Sequence, residues 1–225
     1  MKLLLLCFVT LLMTLCANSQ VQFNIFAGPQ VSTANYSVQG VKQDTKMKYG
    51  FQAGVGAKVV FEEKLSFSPA VFYSMKGYKV NFTQFVLPPS LDAADNNTTI
   101  HTFEMAFLLQ YDFSNEPGHV FIKAGPGLDF QLFGKETFNS RTGGATVSRN
   151  MKFSYGDYGR YSANAHLQLG YETSGGFIIA AQYTHGLASI NNADYGPQIK
   201  HRVFGLSIGK FLNRKKIVID TRNKE

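Results

Sequence analysis

Apolar and polar residues alternate along most of the chain, and the alternation is clearest in residues 103–113. Every second residue there is large and apolar, whereas the residues between them include Glu104 and Asp112. A hydrophobic period of two predicts a β-strand. Residues 115–118 are typical of a tight turn, and residues 119–133 repeat the alternation. This stretch therefore predicts a β-hairpin.

The two faces of the predicted hairpin differ in size as well as in polarity. One face carries Phe, Leu, Met and Tyr, and the other carries small, polar and charged residues. A β-barrel that crosses a membrane has a large apolar face toward lipid and a polar lumen. The pattern therefore favours a membrane barrel. The structural alternative is a soluble lipocalin-like barrel, which would need the aromatic face inside and the charges outside.

The same alternation predicts eight strands, at residues 21–31, 49–61, 65–80, 103–113, 119–133, 158–173, 177–187 and 200–212. The connections alternate between long and short, and the long ones are residues 33–46, 82–98, 135–157 and 188–198. Outer-membrane barrels have an even number of strands, short periplasmic turns and long outer loops. The predicted fold is all-β: an eight-stranded antiparallel up-and-down transmembrane β-barrel over residues 20–212, with periplasmic termini and extracellular long loops. Pro69 and Pro126 lie within strands and lack a ladder donor, so we expect a β-bulge at each.

The N-terminal residues have the pattern of a secretory signal peptide. A basic start precedes an apolar run over residues 3–15, which is too short to span a bilayer as a helix. Ala17 and Ser19 are the small residues that precede a cleavage site, so we predict a signal peptide over residues 1–19. At the other end, residues 213–225 form a charged tail that we expect in the periplasm.

Both cysteines, Cys7 and Cys16, lie within the predicted signal peptide. The mature protein would then contain no disulfide and no cysteine-ligated metal. Lipid attachment through Cys16 is the alternative. It is disfavoured because Leu15 precedes that cysteine where a small residue is required.

The charge balance is basic, with 22 Lys and Arg against 15 Asp and Glu, for a net charge of +7. The basic residues do not cluster with aromatic residues as they do in nucleic-acid sites. We therefore expect no nucleic-acid partner. The excess positive charge suits solvated loops and acidic lipid headgroups.

Charged residues on the predicted inner face balance one another in sign. By strand parity the inward charges are Lys58, Lys76, Lys123 and Arg160 against Glu104, Asp112, Asp129 and Glu172, with His166 as a further polar group. The interior of an eight-stranded barrel is filled by side chains, and unpaired charge there is costly. These residues therefore predict a structural ion network in a lumen that does not conduct. The functional alternative is a proton- or cation-sensitive cluster.

Register across the hairpin predicts that Glu104 lies near Asp129, with Lys76 at the same height. No cofactor or metal site is predicted, because His101, His119 and His201 lack metal-ligand spacing. No catalytic residues are predicted either.

His185 and Ser189 raise the possibility of a lipid A-modifying enzyme, since a histidine can activate a serine. Catalysis would need a third group to orient the histidine, and no carboxylate on a neighbouring strand supplies it. The chain is therefore predicted not to be an enzyme.

The candidate binding surface is the longest loop, residues 135–157, which carries Arg141, Arg149 and Lys152. It would contact an envelope or extracellular protein in envelope maintenance, adhesion or secretion support. The chain itself is expected to be a monomer surrounded by outer-membrane lipid. Porin-like transport of small solutes is the alternative function.

Several short motifs occur in a characteristic order: Ser66-Phe67-Ser68-Pro69, Tyr73-Ser74-Met75-Lys76-Gly77, Glu104-Met105-Ala106, Ala124-Gly125-Pro126-Gly127 and Tyr183-Thr184-His185-Gly186-Leu187. On these motifs, which extend over most of the predicted mature chain, the sequence resembles the PorT-like, porin-family small outer-membrane β-barrels of Gram-negative bacteria. The resemblance implies a barrel and an outer-membrane location. It implies no common ligand.

Overall fold

The computed structural model describes residues 21–213, which form eleven β-strands: β1 (Gln22–Val38), β2 (Val41–Lys42), β3 (Asp44–Lys46), β4 (Lys48–Val60), β5 (Leu65–Asn81), β6 (Asp95–Asp112), β7 (His119–Phe138), β8 (Val147–Asn150), β9 (Tyr161–Glu172), β10 (Phe177–Gly186) and β11 (Gln198–Phe211). The predicted signal peptide, both cysteines and nearly all of the predicted tail lie outside these residues. No helix in the described part of the chain is long and apolar enough to span a bilayer.

Eight long strands form one closed antiparallel sheet in the order β11-β10-β9-β7-β6-β5-β4-β1. The sheet closes because β1 also pairs with β11, from Asn24 opposite Phe211 to Ser37 opposite Gln198. The predicted eight-stranded up-and-down antiparallel barrel is thus confirmed. The three short strands pair with the ends of long ones: β2 with β1, β3 with β5 and β8 with β7.

The two rims of the barrel differ. We call the rim of the short connections 61–64, 113–118 and 173–176 the turn end, and the opposite rim, with connections 39–47, 82–94, 139–160 and 187–197, the loop end. The alternation of long and short connections is as predicted. The strands, however, reach further toward the loop end than the sequence indicated. Residues 33–38, 95–98 and 135–138 were assigned to loops and belong to strands instead, as do residues 99–102, which were assigned to no strand.

The polarity of the inner and outer faces of the barrel reverses along the strands, as β5 shows. In most of β5, Phe67 and Val71 are exposed on the outer wall and Ser74 and Lys76 are buried inside. Near the loop end the rule inverts: Lys79 is exposed, and Tyr78 and Val80 are buried. The first arrangement suits lipid outside and the second suits water outside. The barrel therefore has a long segment built for a bilayer and a shorter one built for solvent.

The prolines do not form the bulges expected of them. Pro69 pairs in register with Phe107 on β6, while on its other side the ladder to β4 is interrupted with no register shift. Pro126 likewise pairs with Ala165 on β9 and lies at an interruption of the β6–β7 ladder. A proline lacks one N–H, which points to one neighbour, so the loss is confined to that side. The register shift in β6–β7 lies instead between His101 and Thr102.

Gly54 shows why glycines occur on the inner face. A Cβ there would lie 2.2 Å from the Cβ of Phe72 and 2.4 Å from the carbonyl oxygen of Val71. Both atoms belong to the facing strand β5 or to a side chain fixed to it. A narrow, strongly coiled barrel thus leaves no room for any side chain at this position.

Candidate functional site: the filled lumen and the loop end

The centre of the lumen holds a fully buried ion cluster around Lys76. Glu104 on β6 lies directly opposite Asp129 on β7. The Lys76 ammonium is 2.9 Å from Glu104 Oε1 and also contacts the Asp129 carboxylate. Asn164 Nδ2 donates to Asp129 Oδ1 at 2.5 Å. Of these residues, strand register predicted Glu104 and Asp129 as neighbours of Lys76, and it did not predict Asn164.

A second ion cluster lies at the turn end. Lys58 Nζ is 2.7 Å from Asp112 Oδ2 and 3.0 Å from Glu172 Oε1. Gln110 Nε2 donates to Asp112 Oδ1 at 2.6 Å and to Glu172 Oε1 at 2.8 Å. His119, which the sequence analysis left outside the network, brings its Nε2 within 3.3 Å of Asp112 and 3.4 Å of Glu172. Because all these side chains are buried, they close the lumen at this end.

In the part of the chain that the structure describes, Asp112, His119 and Glu172 also have the geometry to hold a metal ion, since their donor atoms lie within 4.8 Å of one another. His119 Nδ1 lies 2.8 Å from the carbonyl oxygen of Glu116, an orientation common among metal-bound histidines. The Lys58 ammonium, however, already lies between the two carboxylates. Lys58 therefore pairs with both carboxylates, and the group is an ion cluster of the protein's own side chains.

Lys123 and His166 line the space between the two clusters. This cavity of about 50 Å³ has apolar walls from residues that include Phe72 and Leu108. His166 Nδ1 is 3.0 Å from Thr184 Oγ1. Lys123 Nζ lies 4.8 Å from the centre of the Phe121 ring and, within residues 21–213, forms no ion pair within 4.0 Å. The cavity could hold a few water molecules and is too small to be a continuous channel.

Arg160 is not part of the lumen, contrary to the parity assignment. It precedes β9, and its side chain is exposed. Its guanidinium lies 5.8 Å from the ring centre of Phe130 and 5.1 Å from that of Phe153, and Nη1 donates to the carbonyl of Gln131. Strand parity failed here because the residue lies outside the strand.

The loop end is closed by an apolar core that the sequence analysis missed. Its buried members are Ala34, Tyr36, Val38, Tyr78, Val80, Phe82, Val86, Ala93, Ile100, Phe138, Met151, Tyr158, Ile190 and Ile199. They come from the strand ends and from three of the long connections. The long connections are therefore packed onto the barrel, and the lumen is closed at this end too.

Glu136 is the charged group at the edge of this core. Its fully buried carboxylate accepts hydrogen bonds from Asn96 Nδ2 at 3.2 Å, Arg149 Nε at 2.7 Å and the Tyr158 hydroxyl at 2.7 Å. Burial raises the pKa of the Tyr158 phenol well above its ordinary value, so this hydroxyl remains a donor. One carboxylate thus joins β6, β8 and the connection before β9.

The predicted binding residues of the longest loop have different surroundings from one another. Arg141 donates to the carbonyls of Ala93, Phe82 and Gln84. Arg149 binds Glu136 and the carbonyl of Pro89. Lys152 is exposed. The two arginines therefore hold neighbouring loops in place, with the Nε and Nη2 donors of each engaged within the protein.

The apex of the loop end instead exposes apolar and aromatic side chains. Phe85, Leu87, Leu91, Tyr155 and Tyr195 are all more than half exposed. They border a groove of about 450 Å³ to which all four long connections contribute. Tyr155 is fixed by a hydrogen bond from its hydroxyl to Asp194 Oδ2 at 2.9 Å. Tyr195 is fully exposed with φ +58°, a left-handed conformation that is uncommon for tyrosine.

His185 and Ser189 are each bound to other groups. His185 Nδ1 lies 3.0 Å from the Tyr183 hydroxyl. Ser189 Oγ accepts the backbone N–H groups of Asn191 and Ile199. The serine thus serves as a turn residue, and the pair does not form a nucleophile with its base.

Comparison with known proteins agrees with the barrel. Residues 16–192 match the family described as outer membrane protein beta-barrel domain. The chain belongs to this family. The family is one of barrels of the bacterial outer membrane, and no enzyme family is indicated.

Solved structures give more distant similarities. OprG of Pseudomonas aeruginosa is 13% identical with a TM-score of 0.47, and the alignment covers 87% of this chain and 98% of OprG. Ail of Yersinia pestis, solved in complex with the heparin analogue sucrose octasulfate, is 17% identical with a TM-score of 0.42 over 85% of this chain and 98% of Ail. No curated protein matches the chain by sequence.

Proposed function

We propose that this protein is a non-conducting outer-membrane barrel that binds a protein partner through the apolar groove at the apex of its loop end. The exposed groove of Phe85, Leu87, Leu91, Tyr155 and Tyr195 carries the proposal. Aromatic side chains in a preformed concave surface are typical of the centres of protein interfaces. The packed core beneath the groove supports this role, because it holds the loops in one arrangement before a partner binds.

The proposed orientation places the loop end outside the cell and both termini in the periplasm. The polarity reversal supports it, since the solvent-adapted segment lies at the loop end, where long outer loops are the rule. With this orientation we also propose a cleaved signal peptide over residues 1–19, a periplasmic tail over 213–225, a monomeric barrel and a PorT-like affiliation within the family. Adhesion, envelope maintenance and secretion support are all roles that such a surface could perform.

Conductance separates this proposal from porin-like transport. The ion clusters around Lys76 and Lys58 and the core at the loop end block the lumen at three heights. We therefore expect refolded protein in planar lipid bilayers to give no resolved conductance steps. A faster-migrating unheated band on a gel is the control that the inserted material is a folded barrel. Stable steps from such material would contradict the closed lumen.

Crosslinking in intact cells tests the groove. A photoreactive amino acid at position 87 or 195 should give an adduct of one discrete size, and Leu91→Ser should remove it because Leu91 borders the same groove. The matched control carries the probe at Lys152, which is exposed in the loop that the sequence favoured. An adduct from position 152 with none from 87 and 195 would show that the charged loop, and not the apolar groove, is the binding surface.

A further inference from the structure

Four lysines lie together on the outer wall where its polarity reverses. Lys46 on β3 is directly opposite Lys79 on β5. Lys135 on β7 is opposite Thr99 on β6, and Lys48 Nζ donates to Thr99 Oγ1 at 2.5 Å. We call Lys46, Lys48, Lys79 and Lys135 the lysine patch. It extends across the neighbouring strands from β3 to β7 at the loop end of the outer wall.

The lysines of the patch have no ion-pair partner among the described residues. Within residues 21–213, none of the four lysines forms an ion pair within 4.0 Å. The nearby carboxylate of Asp95 accepts hydrogen bonds from Asn139. Like charges directly opposite each other on neighbouring strands are destabilising. The pairing of Lys46 with Lys79 therefore costs folding stability unless an anion outside the chain offsets it.

Two lysines of the patch, Lys46 and Lys79, border a shallow groove with the chemistry of a phosphate site. The groove, of about 270 Å³, is lined by residues that include Lys46, Lys79, Asn97 and Thr137, and also by Asp95, whose carboxylate accepts hydrogen bonds from Asn139. Ammonium groups beside amide and hydroxyl groups suit the several acceptor oxygens of a phosphate. The geometry thus provides hydrogen bonds as well as charge.

Gly77 allows Lys48 to join the patch. The Lys48 side chain lies against Gly77, where a Cβ would be 3.1 Å from Lys48 Cδ and 2.1 Å from the carbonyl oxygen of Thr98. Lys48 Nζ then reaches Asn97 Oδ1 at 2.6 Å and the Thr98 carbonyl oxygen at 3.1 Å. With the bond to Thr99, all three ammonium hydrogens are engaged within the protein, so Lys48 adds positive charge beside the groove and no free donor.

The wall nearest the patch on the turn-end side is apolar. Tyr49, Phe103 and Phe133 are exposed there. A ligand on this wall would have its negative groups at the lysines and its hydrocarbon toward the barrel's middle. A lipid with a phosphorylated headgroup has that form.

We propose that the lysine patch binds the phosphate groups of a phosphorylated glycolipid in the outer leaflet, with the acyl chains against the apolar wall below. This inference rests on the proposed function, because it requires a barrel in the outer membrane with its loop end outward. It assigns the patch a lipid ligand of defined headgroup chemistry. The barrel would thereby be held at one depth and rotation relative to that lipid.

The test measures binding of bisphosphorylated lipid A to the refolded full chain in neutral detergent. The variants are Lys46→Gln/Lys79→Gln and, as a control with equal charge loss at the turn end, Lys64→Gln/Lys210→Gln. We expect the patch variant to bind roughly 30-fold more weakly, because each lysine near an anionic lipid surface contributes about a factor of five. The control should bind as the unaltered protein does.

A second measurement, of stability toward urea, distinguishes a binding site from a structural role. Without lipid, the patch variant should unfold at higher urea concentration than the unaltered protein, since it no longer opposes two ammonium groups. Loss of lipid affinity together with a gain in stability indicates a binding site and not a structural role. Equal lipid affinities of the patch variant and the control would overturn the proposal.

Two further ligands identify the source of the phosphate. Dephosphorylated lipid A should bind weakly and inorganic phosphate should not saturate the site. Equal binding of dephosphorylated lipid, or saturation by inorganic phosphate at the same concentration as lipid A, would overturn the assignment to a lipid phosphate. The unheated gel band of each sample reports the barrel separately: its absence would contradict the proposed function itself.

Discussion

Replacing Lys76 with alanine should destabilise the folded barrel by about 3–5 kcal/mol. The ammonium group is fully buried between Glu104 and Asp129, and its removal leaves two carboxylates facing each other in the same interior. An uncompensated buried charge is among the most costly changes that a folded protein can undergo. The measurement is the urea concentration at which the faster-migrating folded band disappears, with protein refolded into lipid vesicles.

A triple variant separates loss of the ion cluster from loss of packing. Lys76→Met/Glu104→Gln/Asp129→Asn removes all three charges while keeping side-chain volume, so it should recover most of the stability. Lys64→Ala, in a short connection at the turn end, is the control for loss of a lysine and should change stability by less than about 1 kcal/mol. A Lys76→Ala protein as stable as this control would show that the central cluster contributes little.

Replacing Glu136 with alanine should open the loop end and leave the membrane-spanning segment folded. The change leaves the donors of Asn96, Arg149 and Tyr158 without their shared acceptor, at a local cost of about 2–4 kcal/mol. The connection of residues 139–160 should then be cleaved by protease at least tenfold faster, as measured by mass spectrometry of the fragments. The unheated band on a gel should persist.

Glu136→Gln is the matched variant, since its amide oxygen can still accept hydrogen bonds. It should be cleaved at a rate between those of the unaltered protein and the alanine variant. Should cleavage in Glu136→Ala be unchanged, the apolar core alone would be sufficient to hold the long connections. The crosslink from position 195 provides a second measurement, because an opened loop end should lose the arranged groove.

The bilayer-adapted part of this fold could be predicted from sequence, because one physical rule holds throughout it. Apolar residues face outward and polar residues face inward, so the period of two fixes both the strands and their faces. Lys76, Glu104 and Asp129 were brought together by parity and register alone. His119 was missed because it is the first residue of β7, where strand parity is hard to assign, and because one of its two partners, Glu172, is distant in sequence.

The loop end was predicted poorly for a related reason. The period of two continues there, but the outer residues are polar because water is outside. Asn97 was therefore assigned to a loop and Thr99 to no strand, and nothing marked Tyr78, within the predicted strand 65–80, or Ile100 as members of one core. The core that they form with Tyr158 joins segments far apart in the chain, and no local pattern reveals such contacts. The roles of Arg141 and Arg149 depend on those same contacts.

The pairing of the first strand with the last has a consequence for biogenesis. Strands β1 and β11 pair although they lie at opposite ends of the described sequence. The N–H of Leu212 donates to the carbonyl of Phe23 at 2.7 Å. A chain that lacks β11 cannot close the sheet. It leaves the edges of β1 and β10 unpaired, and other chains can pair with such edges. Contacts this distant in sequence also form slowly. We therefore expect the β1–β11 seam to be the last part of the barrel to form.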